Sequence, residues 1–348
     1  MAVDLFTPMV PTENLHPSFQ ALASNPGFFS ARQMMADISL SFEDKDGNFV
    51  EQFQTTAFDA RLWELYLHVY LQDGGFRLDH SHYAPDYVAA KIDATICVEA
   101  VTVNPTQGSA SPLPEPDTTR SPAEQFLHEM EHVFPIKFGS PLFSKLKKRY
   151  WELPHVGGKP FILAIEDFHQ TGSMVRTGHS LLLYLYGLRY GWAWDAGGNL
   201  VVKPEEIGKH QVGKKEIPSG FFEQPDVENV SAVLFSNSGT ISKFNRMGYM
   251  RGYRQKDIVM ARVGACYNHD RNSATPFLFK YQVGDPAFPE SWGQGLSMFH
   301  NPRAIVPVPR ELFPGIAHHA VLPNGRMVSE MPRFHPYGSQ TMIMRMVQ

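Results

Sequence analysis

Apolar residues recur at helical spacing through "AFDARLWELYLHVYLQDGG" (57–75). Leu62, Leu65, Tyr66, Val69 and Tyr70 form a stripe, and Gly74-Gly75 closes the segment. The period then shortens. "FRLD" (76–79), "DYVAA" (86–90) and "ATICVEAVTV" (94–103) are short β-rich runs bounded by turn residues. "NPTQGSASPLPEPDTTRSP" (104–122) is dense in Pro, Ser and Thr and predicts a mobile loop. Ser121, Pro122 and Glu124 then give a helix start, with a cap, a proline in the first turn and an acid at the third helical position. "SPLFSKLKKRYWEL" (140–153) predicts a second amphipathic helix, with Leu142, Leu146, Tyr150 and Leu153 on one stripe. "KPFILAIEDFH" (159–169) predicts a strand buried on both faces, followed by a helix over 173–190. The apolar segment 179–194, too short to span a bilayer and interrupted by Arg189, is expected to be a buried helix.

Upstream, apolar and polar residues alternate on both sides of Asp46-Gly47 across 37–56, which predicts a β-hairpin. Asp44 and Asp46 there fit a plain turn better than a calcium loop, because no full set of ligands follows. Beyond residue 200, short β-like runs are separated by loops rich in Pro, Gly, His and Asn. These patterns give an α/β chain in three parts: a hairpin extension over 1–56, a mixed-sheet core flanked by helices over 57–195, and a β-rich region over 196–348, for which substrate or partner binding is an expectation that the pattern itself does not show.

Composition narrows the class. Charged residues are 19% and hydrophobic residues 43% of 348, which excludes wholesale disorder and allows a sizeable core. A net charge of −4 excludes a uniformly basic coat but not a local basic face. Two cysteines, Cys97 and Cys266, lie in apolar runs and read as buried thiols rather than a disulfide framework. With no signal-peptide pattern and no spanning segment, a cytoplasmic protein without a membrane partner is expected.

The acids fall where chemistry could use them. Glu64 sits mid-helix beside an apolar stripe, Asp86 follows Pro85 at the start of a strand, and Glu99 lies inside the next strand. If those strands pair as a hairpin, Asp86 and Glu99 come side by side. Hard oxygen ligands of this kind suit Mg²⁺ or Mn²⁺. Taken singly, each acid also reads as an ordinary solvated or turn residue. Helix Glu, Pro-Asp, strand Glu, lysine-rich helix and buried strand, in that order, resemble the PD-(D/E)xK nuclease superfamily with its restriction-endonuclease-like fold, over roughly residues 57–190.

The resemblance implies a Mg²⁺- or Mn²⁺-dependent nuclease cleaving nucleic acid, DNA in preference to RNA. It makes Asp86 and Glu99 the metal ligands and Glu64 a further acidic participant. The family's lysine two residues past the strand Glu is replaced here by Val101. Some superfamily members carry that lysine on the neighbouring helix, where "KLKKRY" offers Lys145 and Lys148, on one face with Arg149. Solvated surface lysines and an inactive site are the alternatives. "KFNRMGYMRGYRQK" (243–256) interleaves Lys243, Arg246, Arg251, Arg254 and Lys256 with aromatic residues and is the nucleic-acid-contact candidate, against a basic-faced structural segment.

Two rival functions stand beside the nuclease. One is a non-catalytic nucleic-acid-binding or assembly protein with a degenerate site; a homodimer is an option for the chain under the nuclease reading itself. The other is a zinc hydrolase, since His128, Glu129 and His132 satisfy His-Glu-x-x-His, with His155 or Glu166 as third ligand.

Overall fold

The computed structural model describes residues 4–44, 47–104, 121–168, 177–236, 238–270, 272–273 and 275–346. Its N-terminal part is helical: α1 (Pro17–Ser24), α2 (Phe29–Ser39) and α3 (Phe49–Gln54) precede α4 (Phe58–Asp73). The expected hairpin over 37–56 is therefore not formed among the described residues there. Phe49 and Phe53 lie four apart, which brings both to one face of a helical turn, and both are buried. Asp44 accepts the Phe49 N–H at 3.0 Å and so satisfies a donor at the start of α3. Burial of two phenylalanines at helical spacing outweighs the strand-like alternation.

After α4 come β1 (Arg77–Asp79), β2 (Tyr87–Lys91) and β3 (Ala94–Val103), antiparallel in succession. Of the segment read as a mobile loop, residues 105–120 lie outside the described residues. Helix α5 (Pro122–His128) opens on the expected capping box between Ser121 and Glu124. It runs through a π-turn at Glu129–Val133 into α6 (Phe134–Leu146). The second amphipathic helix thus begins earlier than its stripe suggested and stops at Leu146, because Arg149 turns to the left-handed region at φ 49°. Strand β4 (Phe161–Asp167) is buried along its whole length and pairs parallel with β3.

Helix α7 spans Thr177–Tyr186 and gives way to β5 (Leu188–Trp194), so the apolar segment 179–194 is only half helical. Gly187 at φ 65° makes the break, and a Cβ there would come within 3.3 Å of the Gly220 backbone. Strands β6 (Leu200–Glu206), β7 (Lys209–Val212) and β8 (Lys215–Pro218) form two small antiparallel ribbons, β5 with β6 and β7 with β8. Then follow β9 (Ala232–Ser236), α8 (Ile241–Arg251), β10 (Ile258–Cys266), β11 (Phe277–Gln282), β12 (Leu296–His300), β13 (Ala317–Val321), β14 (Met327–Glu330) and β15 (Pro336–Arg345).

The result is a mixed α/β protein with a β-rich C-terminal region. Its main sheet has eight strands in the order β1-β2-β3-β4-β9-β12-β13-β14, while β10 sits between β11 and β15 in a separate antiparallel sheet. The C-terminal half thus extends the sheet begun by β1–β4. One face packs under α4, whose fully buried Trp63 donates its indole N–H to the Ala164 carbonyl of β4 at 2.9 Å. The other face packs under α6 and α7. Replacing a side chain as large and enclosed as Trp63 by Ala costs about 3–5 kcal/mol. Among the described residues no helix is long and apolar enough to cross a membrane.

Candidate active site

Period-two alternation decides what Glu99 can meet. Along β3, Ile96 and Val98 enter the core beneath α4, whereas Cys97, Val101 and Val103 enter the core beneath α6 and α7. Glu99 has the parity of Cys97 and Val101, so it points to the α6 side. Lys145, in the last turn of α6, meets it there, donating from Nζ to Oε1 at 2.5 Å. The Tyr150 hydroxyl donates to the same oxygen at 2.8 Å. Val101 is 2% exposed inside the α6-side core, a poor place for a lysine's charge. The cation comes from the covering helix instead.

Strand β2 brings Asp86 to the same place. Tyr87 pairs with Val98, so Asp86 and Glu99 stand opposite one another just past the last ladder pair. Their bonds are reciprocal: Ala100 N–H donates to Asp86 Oδ2 at 2.7 Å, and Asp86 N–H donates to Glu99 Oε2 at 3.3 Å. The Ala84–Pro85 peptide before them is cis. Glu64 on α4 completes the group and is ion-paired with Arg61, one helical turn back, at 2.5 Å. The Tyr87 hydroxyl ties β2 to α4 by donating to the Glu64 carbonyl at 2.6 Å.

Burial, and then the charges of Glu99 and Glu64, push the Asp86 carboxyl well above the usual carboxylate range; Ala100 N–H and Lys145 oppose this. Glu64 is also raised, chiefly by burial, against the pull of Arg61. Three carboxylates here face two cations, Arg61 and Lys145. Arg61 pairs with Glu64 and Lys145 with Glu99, which leaves Asp86 without a cation of its own among the described residues. Such a set fits a divalent ion bound through one or two carboxylates and otherwise through water. Each carboxylate oxygen has two lone-pair directions, so the existing bonds to Asp86 and Glu99 leave acceptor capacity. Among the described residues no group of three or more His, Cys, Asp or Glu side chains stands ready to hold a metal, so the fit rests on the Asp86–Glu99 pair.

Glu64, Asp86 and Tyr87 line a small cleft of about 80 Å³ together with Phe42, Asp44, Arg61, His80 and Tyr83. Beside the site, Lys147, Lys148 and Arg149 are exposed past the end of α6. Lys148 therefore does not share Lys145's contact with Glu99. Tyr150 and Arg61 are the site residues that sequence reasoning missed, although Arg61 precedes Glu64 by the i,i+3 spacing that signals a helical ion pair.

The basic segment 243–256 is not a cationic surface throughout. Lys243 and Arg246 are buried and both bond to Glu290, at 2.8 Å. Phe244 and Tyr249 are buried too, so neither offers a free ring for stacking. The helical stripe that buries these aromatics carries the two cations inward with them. Arg251 and Arg254 are exposed, Arg251 lying 3.9 Å from Asp37 and Arg254 over the Tyr249 ring.

The His-Glu-x-x-His stretch lies across the junction of α5 and the π-turn, with the His128 and His132 rings 5.0 Å apart. The proposed third ligands are elsewhere: His155 stacks on His82 at 3.7 Å, and Glu166 is enclosed in β4. Comparison with family models, curated proteins and solved structures finds no match for this chain.

Proposed function

We propose that the chain is a metal-dependent nuclease that hydrolyses phosphodiester bonds, DNA in preference to RNA, on a restriction-endonuclease-like plan. The observation that carries this reading is the convergence of Asp86, Glu99 and Lys145 from β2, β3 and α6. Support also comes from the order in which the elements are laid down: a helix, three antiparallel strands, a helix, then a parallel strand. That is the order the sequence resemblance led one to expect.

Asp86 and Glu99 would hold Mg²⁺ or Mn²⁺, an ion that supplies an activated water and a Lewis acid for phosphoryl chemistry. Lys145 fixes one oxygen of Glu99 and keeps a positive charge beside the place where phosphate charge develops. Tyr150 holds the same carboxylate in one orientation. Arg61 is ion-paired with Glu64 beside the cleft. The exposed Lys147, Lys148 and Arg149 offer phosphate contacts next to the site, taking the part first assigned to Lys243 and Arg246.

One observation favours a second reading. Glu64 and Glu99 already have cation partners and Asp86 a backbone donor, as in a purely structural network. A nucleic-acid-binding protein with a degenerate site would look the same. Incubation with plasmid and single-stranded DNA in Mg²⁺ or Mn²⁺ separates the two. Cleavage lost in Asp86→Ala and Glu99→Ala but kept in His128→Ala supports the nuclease. Binding without cleavage in either metal supports the degenerate site, and stoichiometric zinc in the purified protein would revive the hydrolase.

A further inference from the structure

Tyr83 stands three residues before Asp86 and lines the same cleft. It is 80% exposed, although both of its chain neighbours are held in place. The His82 ring stacks on His155, with centroids 3.7 Å apart and planes 3° from parallel. On the other side, the Ala84 carbonyl accepts from His155 Nε2 at 2.6 Å. One imidazole, from the stretch between α6 and β4, thus clamps the residues flanking Tyr83 and leaves the phenol ring in solvent. A single exposed ring is ordinary. This one is set apart by its clamp and by its place beside Asp86 and Glu99.

The stretch that supplies His155 also brings cations to the site. Lys145 meets Glu99, the chain passes through exposed Lys147, Lys148 and Arg149, and Tyr150 then returns to Glu99. Lys147 Nζ lies 4.5 Å from the centroid of the Phe143 ring, and Arg149 is 3.0 Å from Glu152. Both are solvent-facing contacts of the kind that cost little to exchange for phosphate. The segment 145–155 therefore touches both Glu99 and the loop that carries Tyr83, so ring and cations border one pair of carboxylates. Glu43 and Asp44 in the cleft wall repel phosphate, which leaves the cation side for a nucleic-acid backbone.

We infer that the site takes single-stranded DNA in preference to paired duplex, with an unpaired base stacked on Tyr83 and neighbouring phosphates on Lys147, Lys148 and Arg149. The inference rests on the nuclease reading of this site and names its substrate class. In a duplex, each base is covered on both faces by its neighbours. Freeing one from the stack costs energy, least in a strand that is already single. An aromatic ring in solvent offers the face that such a base lacks, and every base has a π-face to give it, so little sequence preference is expected.

Binding to the full chain tests this without cleavage, in EDTA and at fixed salt, by anisotropy of a fluorescein-labelled oligonucleotide, single-stranded or annealed to its complement. Wild type should bind the single strand more tightly. Tyr83→Ala should weaken the single strand about fivefold or more and the duplex less than about twofold. Tyr83→Phe keeps the ring and should stay within about twofold of wild type on both. Lys148→Ala should weaken both forms alike, because phosphate contact is common to them. Equal wild-type affinities for the two forms, a single-strand affinity unchanged in Tyr83→Ala, or losses in that variant equal for strand and duplex would overturn the inference and leave the nuclease reading standing. So would a loss in Tyr83→Phe as large as that in Tyr83→Ala. Wild-type protein that binds neither form would overturn both.

Discussion

Lys145 and Glu99 are 46 residues apart in the chain, yet the Nζ of one donates to Oε1 of the other at 2.5 Å. The pair links the end of α6 to the middle of β3 and puts a cation where Val101 cannot. If it serves catalysis, Lys145→Ala should lower metal-dependent cleavage at least about 100-fold, the usual effect of deleting one charge-stabilising donor. Lys148→Ala, whose side chain is exposed past the helix end, should change the rate constant less than about threefold. Single-turnover rates on one labelled oligonucleotide measure both. Equal losses in the two variants would count against the assignment.

Tyr150 shares Glu99 Oε1 with Lys145 and is a positioning residue. Tyr150→Phe keeps the ring in its core and removes only the hydroxyl. Stability should fall by about 0.5–1.5 kcal/mol in denaturant titration. Cleavage should fall less than in Lys145→Ala, with the shortfall in kcat rather than KM.

Much of the site was legible because its parts are local. Pro85-Asp86 at a strand start, Glu99 within β3 and the strand bounds of β3 follow from short-range pattern and turn chemistry. The choice between Lys145 and Lys148 needed the helix end, set by the left-handed Arg149, which no stripe of leucines reveals. The inward turn of Lys243 in the basic segment needed Glu290, a partner 47 residues away and invisible to periodicity. The missing hairpin over 37–56 has the same origin. Alternation there is real, but Phe49 and Phe53 are claimed by the core against α4, and tertiary burial overrides local preference.

The buried hub around Glu290 makes its own prediction. Lys243, Arg246 and Arg262, all buried, surround this one carboxylate. Glu290→Ala would leave three enclosed cations without this counter-charge and should cost about 3–5 kcal/mol or prevent folding. Lys243→Met removes one excess charge, loses the bond to the Ser291 carbonyl, and should cost clearly less. Thermal unfolding of the two variants side by side checks the order.

Asp59, in the first turn of α4, is pushed up by burial from 3.8 to about 6. The folded state therefore holds this proton more tightly than the unfolded chain does. Its stabilising contribution is complete below about pH 4 and is lost as pH rises through about 6. Asp59→Asn does not titrate, so the Tm difference, variant minus wild type, should grow across that window and then level off. A difference independent of pH would contradict the assignment.

The central claim is that Asp86 and Glu99 form the cation-binding heart of a nuclease. Its most direct test is the single-turnover cleavage rate of a 5′-labelled DNA oligonucleotide in Mg²⁺ or Mn²⁺, against a chelator control, for wild type and Asp86→Asn. Asn keeps the shape of Asp86 but lacks the charge that would attract a metal ion. The account predicts metal-dependent cleavage by wild type and a loss of at least about 100-fold in the variant. Wild-type protein that folds and binds DNA but cleaves in neither metal, or cleavage undiminished in Asp86→Asn, would contradict it.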